Sequence, residues 1–270
     1  MLIRRLNRFG LACVVAVALA ALTSVAFGYA TAAEALKDGL AKRSQKEYEA
    51  AATAFRETLK LDPKQGVART LLAECLVALN KNDEALAALN EGIADPQQSA
   101  SDRISFQVKA GDIDRVQKKY DEARAEYGKL LKMDVGDKGS LAKREAARCL
   151  AQTDFDQGKF EAAAKGFEES LKFDPEYIFS QYMAGQAYQQ AKLNDKAVEA
   201  YTKASTMKES QPNYAPAARL ALARLYVQLE KLPEAQKTLE DMLALQNLPE
   251  STKARAGALL AKVKEKLPAK

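Results

Sequence analysis

An alanine followed four residues later by a bulky side chain recurs six times along the chain. The pairs are Ala51 and Phe55, Ala85 and Leu89, Ala123 and Tyr127, Ala163 and Phe167, Ala197 and Tyr201, and Ala235 and Leu239. An interval of four puts both residues on one face of a helix. The pairs are spaced by 34, 38, 40, 34 and 38 residues, a base period of 34 with insertions of four to six. A second amphipathic segment precedes each pair, most visibly in LLAECLVAL (71–79), SQYMAGQAYQQA (180–191) and LALARLYVQL (220–229). Asn80, Asn82, Gly158, Asn194 and Pro233 punctuate the gap between the two segments. Asp62-Pro63, Asp95-Pro96 and Asp174-Pro175 end the second one, because proline disfavours helical geometry in the residue before it. The pattern predicts two helices per unit and six units.

The repetition extends to whole phrases. EYEAAATAFRETLKLDP (47–63) returns as KFEAAAKGFEESLKFDP (159–175). One two-helix hairpin cannot bury its apolar face alone, so copies stack and share a continuous core. A small alanine lets two helices approach to about 8 Å, and the aromatic fills the space beside it. After the sixth unit, ESTKARAGALLAKVKEKL (250–267) carries one more stripe: Ala256, Leu259, Leu260, Val263 and Leu267. It is expected to cap the last unit. The alternative for so basic a helix is a membrane surface.

At this point the chain resembles the tetratricopeptide repeat family. In the fifth unit Ala184, Gly185, Tyr188, Ala197, Tyr201 and Ala204 fill the family's pattern of small and aromatic positions. Phe160, Ala163, Phe167 and Pro175 fill the second half of the fourth. The third unit departs most, with a polar first helix around SFQVKAGDID and Val135 where proline is expected. The resemblance implies an all-α fold, a right-handed α-solenoid of about six repeats over residues 33–247. Residues 248–270 form the capping helix and tail.

Residues 1–32 read as a signal peptide. Arg4, Arg5 and Arg8 make a basic start, Leu11 to Phe27 an apolar run, and Ala30-Thr31-Ala32 a cleavage signal after Ala32. Ser24-Val25-Ala26 is a second candidate, and an uncleaved membrane anchor is the rival reading. Either places the repeats outside the inner membrane, periplasmic or secreted. Net charge is +5 over 270 residues, and those three arginines account for all but +2. That balance argues against a nucleic-acid partner.

Composition also limits the chemistry. With no histidine in the chain, Ser-His-Asp triads, Cys-His pairs and the usual zinc-water sites are excluded. No glycine-rich phosphate loop or CxxC is present, so no cofactor, no metal and no catalytic residue is expected. Cys75 and Cys149 fall two units apart, too far for a disulfide, and should be buried free thiols. Glu168, Glu169 and Glu176 read as solvated surface.

The family resemblance implies that the first helix of each unit lines an inner wall that holds a partner segment. Its inward positions map onto Leu36, Leu40, Thr70, Glu74, Val77, Val108, Asp112 and Arg115 in the earlier units. In the later ones they map onto Arg148, Gln152, Phe155, Phe179, Tyr182, Gln186, Gln189, Leu220 and Arg224. The set from Arg148 to Gln189 is the candidate binding patch, since aromatic and arginine side chains anchor interfaces. Whether Phe155, Phe179 and Tyr182 bind or only complete packing between repeats is open. The expected function is a non-catalytic scaffold for envelope proteins. The alternatives are a glycan-binding or polysaccharide-export accessory protein, or a carboxylate hydrolase with two facing acids in the groove.

Overall fold

The computed structural model describes residues 28–207 and 214–267. Among these residues the fold is all-α, with thirteen α-helices and no strand. They are α1 (Ala32–Ser44), α2 (Tyr48–Leu61), α3 (Gly66–Ala78), α4 (Asn82–Ala94), α5 (Ala100–Val116), α6 (Tyr120–Lys129), α7 (Gly139–Asp156), α8 (Phe160–Leu171), α9 (Ile178–Gln190), α10 (Asn194–Thr206), α11 (Tyr214–Gln228), α12 (Leu232–Leu243) and α13 (Glu250–Lys266). Two compact units divide after Asn80. In the first, α2 packs on both α1 and α3; in the second, each helix from α4 to α13 packs on the next. Residues 1–27 of the expected leader, with the second cleavage candidate at Ser24-Val25-Ala26, lie outside the described residues.

The second helix of every repeat carries the alanine and its bulky partner on its buried face. All twelve of these residues are at most 1 % exposed. What the ring meets across the hairpin is a glycine in three repeats. A Cβ on Gly39 would stand 2.5 Å from the Phe55 ring, and one on Gly185 would stand 2.6 Å from Tyr201; Gly111 meets Tyr127 in the same way. In the fourth repeat the close approach is between backbones, since a Cβ on Gly166 would lie 2.8 Å from that of Ala151. In the sixth, the smaller Leu239 shares its cluster with Ala223. Ring size on one helix is thus matched by the absence of a side chain on the other, so the pair acts as one packing unit.

The turns inside the hairpins share a backbone device that residue type does not announce. Lys46, Asn80, Lys118, Gly158, Lys192 and Glu230 all have positive φ, between 59° and 75°. Each sits five residues before the alanine of its repeat. This left-handed residue turns the chain so that the next N–H reaches back to the last turn of the first helix. Glu47 donates to the Lys42 carbonyl at 2.9 Å, and Lys119 to Asp114, Lys159 to Asp154, Leu193 to Tyr188 and Lys231 to Tyr226 at 2.8–2.9 Å. Asn80 and Gly158 suit the position; the lysines and the glutamate occupy it at a cost of roughly 1 kcal/mol each. Of the residues read as turn signals, Asn82 and Asn194 open the second helix and Pro233 lies in its first turn.

The third repeat is less polar inside than its sequence suggests. α5 buries Ile104, Phe106, Ala110 and Ile113. Buried Gln107 is satisfied by the Glu126 backbone carbonyl at 3.1 Å and its carboxylate at 2.7 Å. Val135, at the place where proline was expected, packs with Ile104, Leu130, Ala142 and Ala146. Two short 3-10 turns, Leu130–Lys132 and Gly136–Lys138, take up the insertion there.

The last helix caps the array. Ala256 and Val263 of α13 are buried with Leu220, Ala223, Ala235, Leu239 and Met242, and Leu259, Leu260 and Leu267 pack against the same cluster. The apolar stripe is thereby consumed within the fold, which removes the membrane-surface reading of this helix. Among the described residues no helix is long and apolar enough to cross a membrane.

Candidate partner-binding groove

In the second unit α9 lies against α11 and α11 against α13, so their side chains share one wall. The structure divides the seven residues of the candidate patch into two groups. Arg148, Gln152 and Phe155, all on α7, are engaged locally. The Arg148 guanidinium binds Glu145 at 2.7 Å, donates to the Cys149 sulfur at 3.1 Å and lies 5.6 Å from the Phe179 ring centre. Gln152 donates to Asp156 at 2.9 Å. Phe155 packs edge-on against Phe160 at 5.3 Å, closing the hairpin of α7 and α8.

The second group belongs to a ladder of rings. Phe179 meets Tyr214 at 5.3 Å, Tyr214 meets Tyr182 at 5.9 Å, and Tyr182 meets Tyr201 at 5.9 Å. Phe179 also abuts the buried Phe167, so it stands partly in the core. Tyr182, Gln186 and Gln189 come together at one end of the ladder. Gln186 donates to the Tyr182 hydroxyl at 2.9 Å, and the Tyr201 hydroxyl donates to Gln189 at 2.9 Å.

These three open onto a cavity of about 550 Å³. Tyr201, Leu220 and Arg224 continue its lining, and the first turn of α13 closes it with Pro249, Ser251, Thr252 and Arg255. That volume falls within the usual range for ligand sites. No carboxylate appears among the lining residues. Burial raises the Tyr182 phenol above its ordinary value although Arg224 and Arg255 pull against it, so the hydroxyl keeps its proton. Because that oxygen already accepts from Gln186, its own hydrogen remains available to a ligand.

Leu220 and Arg224 were among the inward positions read from the sequence; the contribution of α13 was not. Its stripe marks only the face that packs, whereas Arg255 and the first turn reach the cavity through tertiary placement. Earlier in the chain the inward groups neutralise one another. Arg115 is bonded to Asp112 at 3.3 Å and paired with Asp156, and the Tyr127 hydroxyl donates to Asp112 at 2.8 Å. Cys75 and Cys149 are buried free thiols, and burial pushes Cys149 up to about 12. Among the described residues no cluster is arranged to hold a metal ion.

Profiles described as tetratricopeptide repeat match residues 42–103, 108–178 and 180–211, together more than half of the chain. No curated protein sequence matches it. Among solved structures it is similar to PilF of Pseudomonas aeruginosa, at 16 % identity and TM-score 0.52 over 86 % of this chain and 97 % of that one. It is also similar to PilW, described as a widely conserved type IV pilus biogenesis factor, at 16 % identity and TM-score 0.55 over 83 % and 97 %. At such identities the likeness is one of fold.

Proposed function

Because the chain belongs to the tetratricopeptide repeat family, whose members generally mediate protein–protein interaction, we propose that it is a non-catalytic scaffold of the cell envelope that holds a segment of a partner protein along α9, α11 and α13. The observation that carries this reading is the cavity walled by Tyr182, Gln186, Gln189, Leu220 and Arg224, all five at positions the repeat pattern marks as inward, with Gln186, Gln189 and Arg224 outside the buried core. Site-specific photo-crosslinking tests it. A crosslinker at position 186 should capture a protein that one at position 199, on the exposed back of α10, does not. Equal capture at both positions, or none at 186, refutes the reading.

Export rests on the basic start and apolar run of residues 1–27. The start of α1 bears on where the leader ends. Thr31 Oγ1 accepts from the Glu34 N–H at 3.2 Å, and the Ala30 N–H donates to the Glu34 carboxylate at 3.1 Å. This reciprocal cap satisfies two otherwise open donors. Cleavage after Ala32 would remove Ala30 and Thr31 and with them both bonds, whereas cleavage after Ala26 would leave the cap whole, which favours the upstream site. Mass spectrometry of the protein from the envelope fraction should find Phe27 at its N-terminus. Recovery of the full chain from the cytosol alone would refute export.

A further inference from the structure

The last helix stands in the register of a seventh first helix. Twelve residues before the alanine of each second helix lie Gly39, Ala73, Gly111, Ala151, Gly185 and Ala223. One further step of 34 residues falls on Gly257 of α13. The Ala-Gly pairs at 110–111, 184–185 and 256–257 share that register, and Ala110, Ala184 and Ala256 are all completely buried. α13 also packs backwards as a first helix does, on α12 and α11. Forwards it differs. In the second unit α5, α7, α9 and α11 each lie against the second helix that follows, whereas no described helix follows α13.

Glycine at this register has one use elsewhere in the chain. A Cβ on Gly39 or Gly185 would strike the ring of Phe55 or Tyr201, and Gly111 is filled by Tyr127 in the same way. A Cβ on Gly257 would meet nothing within 4 Å. Glycine weakens a helix relative to alanine. In three repeats a seated ring offsets that loss; at Gly257 the seat is open. Lys253, Ala254, Leu260 and Ala261 border it on the helix surface. Ala254 and Ala261 are exposed and Leu260 is half-buried. Charge narrows the choice of occupant. α13 carries Lys253, Arg255, Lys262, Lys264 and Lys266 against Glu250 and Glu265. A second copy of α13 would add the same cations and bring no aromatic ring. The bulky residues of this chain's own second helices are already buried.

We propose that α13 is a docking surface for a helix of another protein, which completes a seventh hairpin. That helix carries an alanine and, four residues on, a phenylalanine or tyrosine that enters the seat at Gly257. Its polar side is richer in carboxylates than in cations, which suits the basic face of α13. The glycine lets the two helices approach to about 8 Å, as within the repeats. Gly257 does not line the cavity between α9, α11 and α13, so this surface is additional to the groove.

The test uses residues 27–270 and a fluorescein-labelled peptide of residues 47–63, EYEAAATAFRETLKLDP, the helix that seats Phe55 on Gly39. It holds four carboxylates and two cations. A helix this short is marginal alone, so fluorescence anisotropy should show weak but saturable binding. The Phe55→Ala peptide, whose helix propensity is higher, should bind at least about tenfold weaker, because it lacks the ring. Gly257→Leu should weaken the original peptide by a similar factor, with a urea midpoint no lower than wild type. Ala261→Glu, at an exposed position one turn on, should do the same. The crosslink from position 186 should persist in Gly257→Leu; its loss there would merge the two surfaces and overturn the proposal. So would no binding at about 1 mM peptide, equal binding of the two peptides, or binding unchanged in both protein variants. A dimer in sedimentation velocity that Gly257→Leu dissociates would also overturn it, by making a second copy the occupant.

Discussion

Gly185→Ala places a methyl group against the most confined ring of the fifth repeat. Its Cβ would stand 2.6 Å from Tyr201 Cδ1, 2.7 Å from Cε1 and 3.1 Å from Cγ. Carbon atoms prefer about 3.5–4.0 Å, so the ring must retreat by roughly 1 Å. Tyr201 is 1 % exposed, backed by the Tyr182 ring and tied to Gln189, so retreat means repacking. Overpacking of this kind costs about 1–3 kcal/mol, and disturbing the hydroxyl bond adds about 1. Alanine gains about 1 kcal/mol over glycine in a helix. The balance is a net loss of about 1–3 kcal/mol. Gly257→Ala, in α13 with nothing within 4 Å of the new Cβ, should keep the helical gain of about 1 kcal/mol. Urea unfolding followed by far-UV circular dichroism should move the two midpoints in opposite directions. Gly185→Ala/Tyr201→Leu should recover part of the loss, because the sixth repeat places Ala223 and Leu239 at the same two positions. A Gly185→Ala variant as stable as wild type, with unchanged slope, would refute the claim that the ring is locked on the glycine.

Three further outcomes are expected. Lys118→Gly and Lys192→Gly should each stabilise by about 1 kcal/mol by relieving positive φ, and Gly158→Ala should destabilise by a similar amount; urea midpoints decide the signs. Thr31→Ala should cost about 1 kcal/mol, and hydrogen exchange should show the loss confined to the first turns of α1. The Cys149 thiol should resist a thiol reagent in the native state. Burial pushes its pKa up to about 12 from an ordinary 9.0, so the unfolded chain ionises first and the thiol's contribution to stability falls as pH rises from about 9 towards 12. Rapid labelling of Cys149 under native conditions would contradict its burial.

The sequence by itself determined the number of repeats, the buried face of every second helix and the cap. Those follow from the intervals between Ala51, Ala85, Ala123, Ala163, Ala197 and Ala235, because a helix converts spacing directly into a face. It also marked Tyr182, Gln186, Gln189, Leu220 and Arg224 as inward. Only the tertiary structure decided which inward groups are spent. Arg148 and Arg224 were both read as inward, yet one meets Glu145 and Phe179 while the other has no carboxylate partner among the described residues. Tertiary structure also put Lys46, Lys118, Lys192 and Glu230 into a backbone conformation that their side chains do not favour. The reason is the same in both cases. Periodicity is local and written once per residue, whereas charge pairing and turn geometry depend on what neighbouring helices bring within a few ångströms.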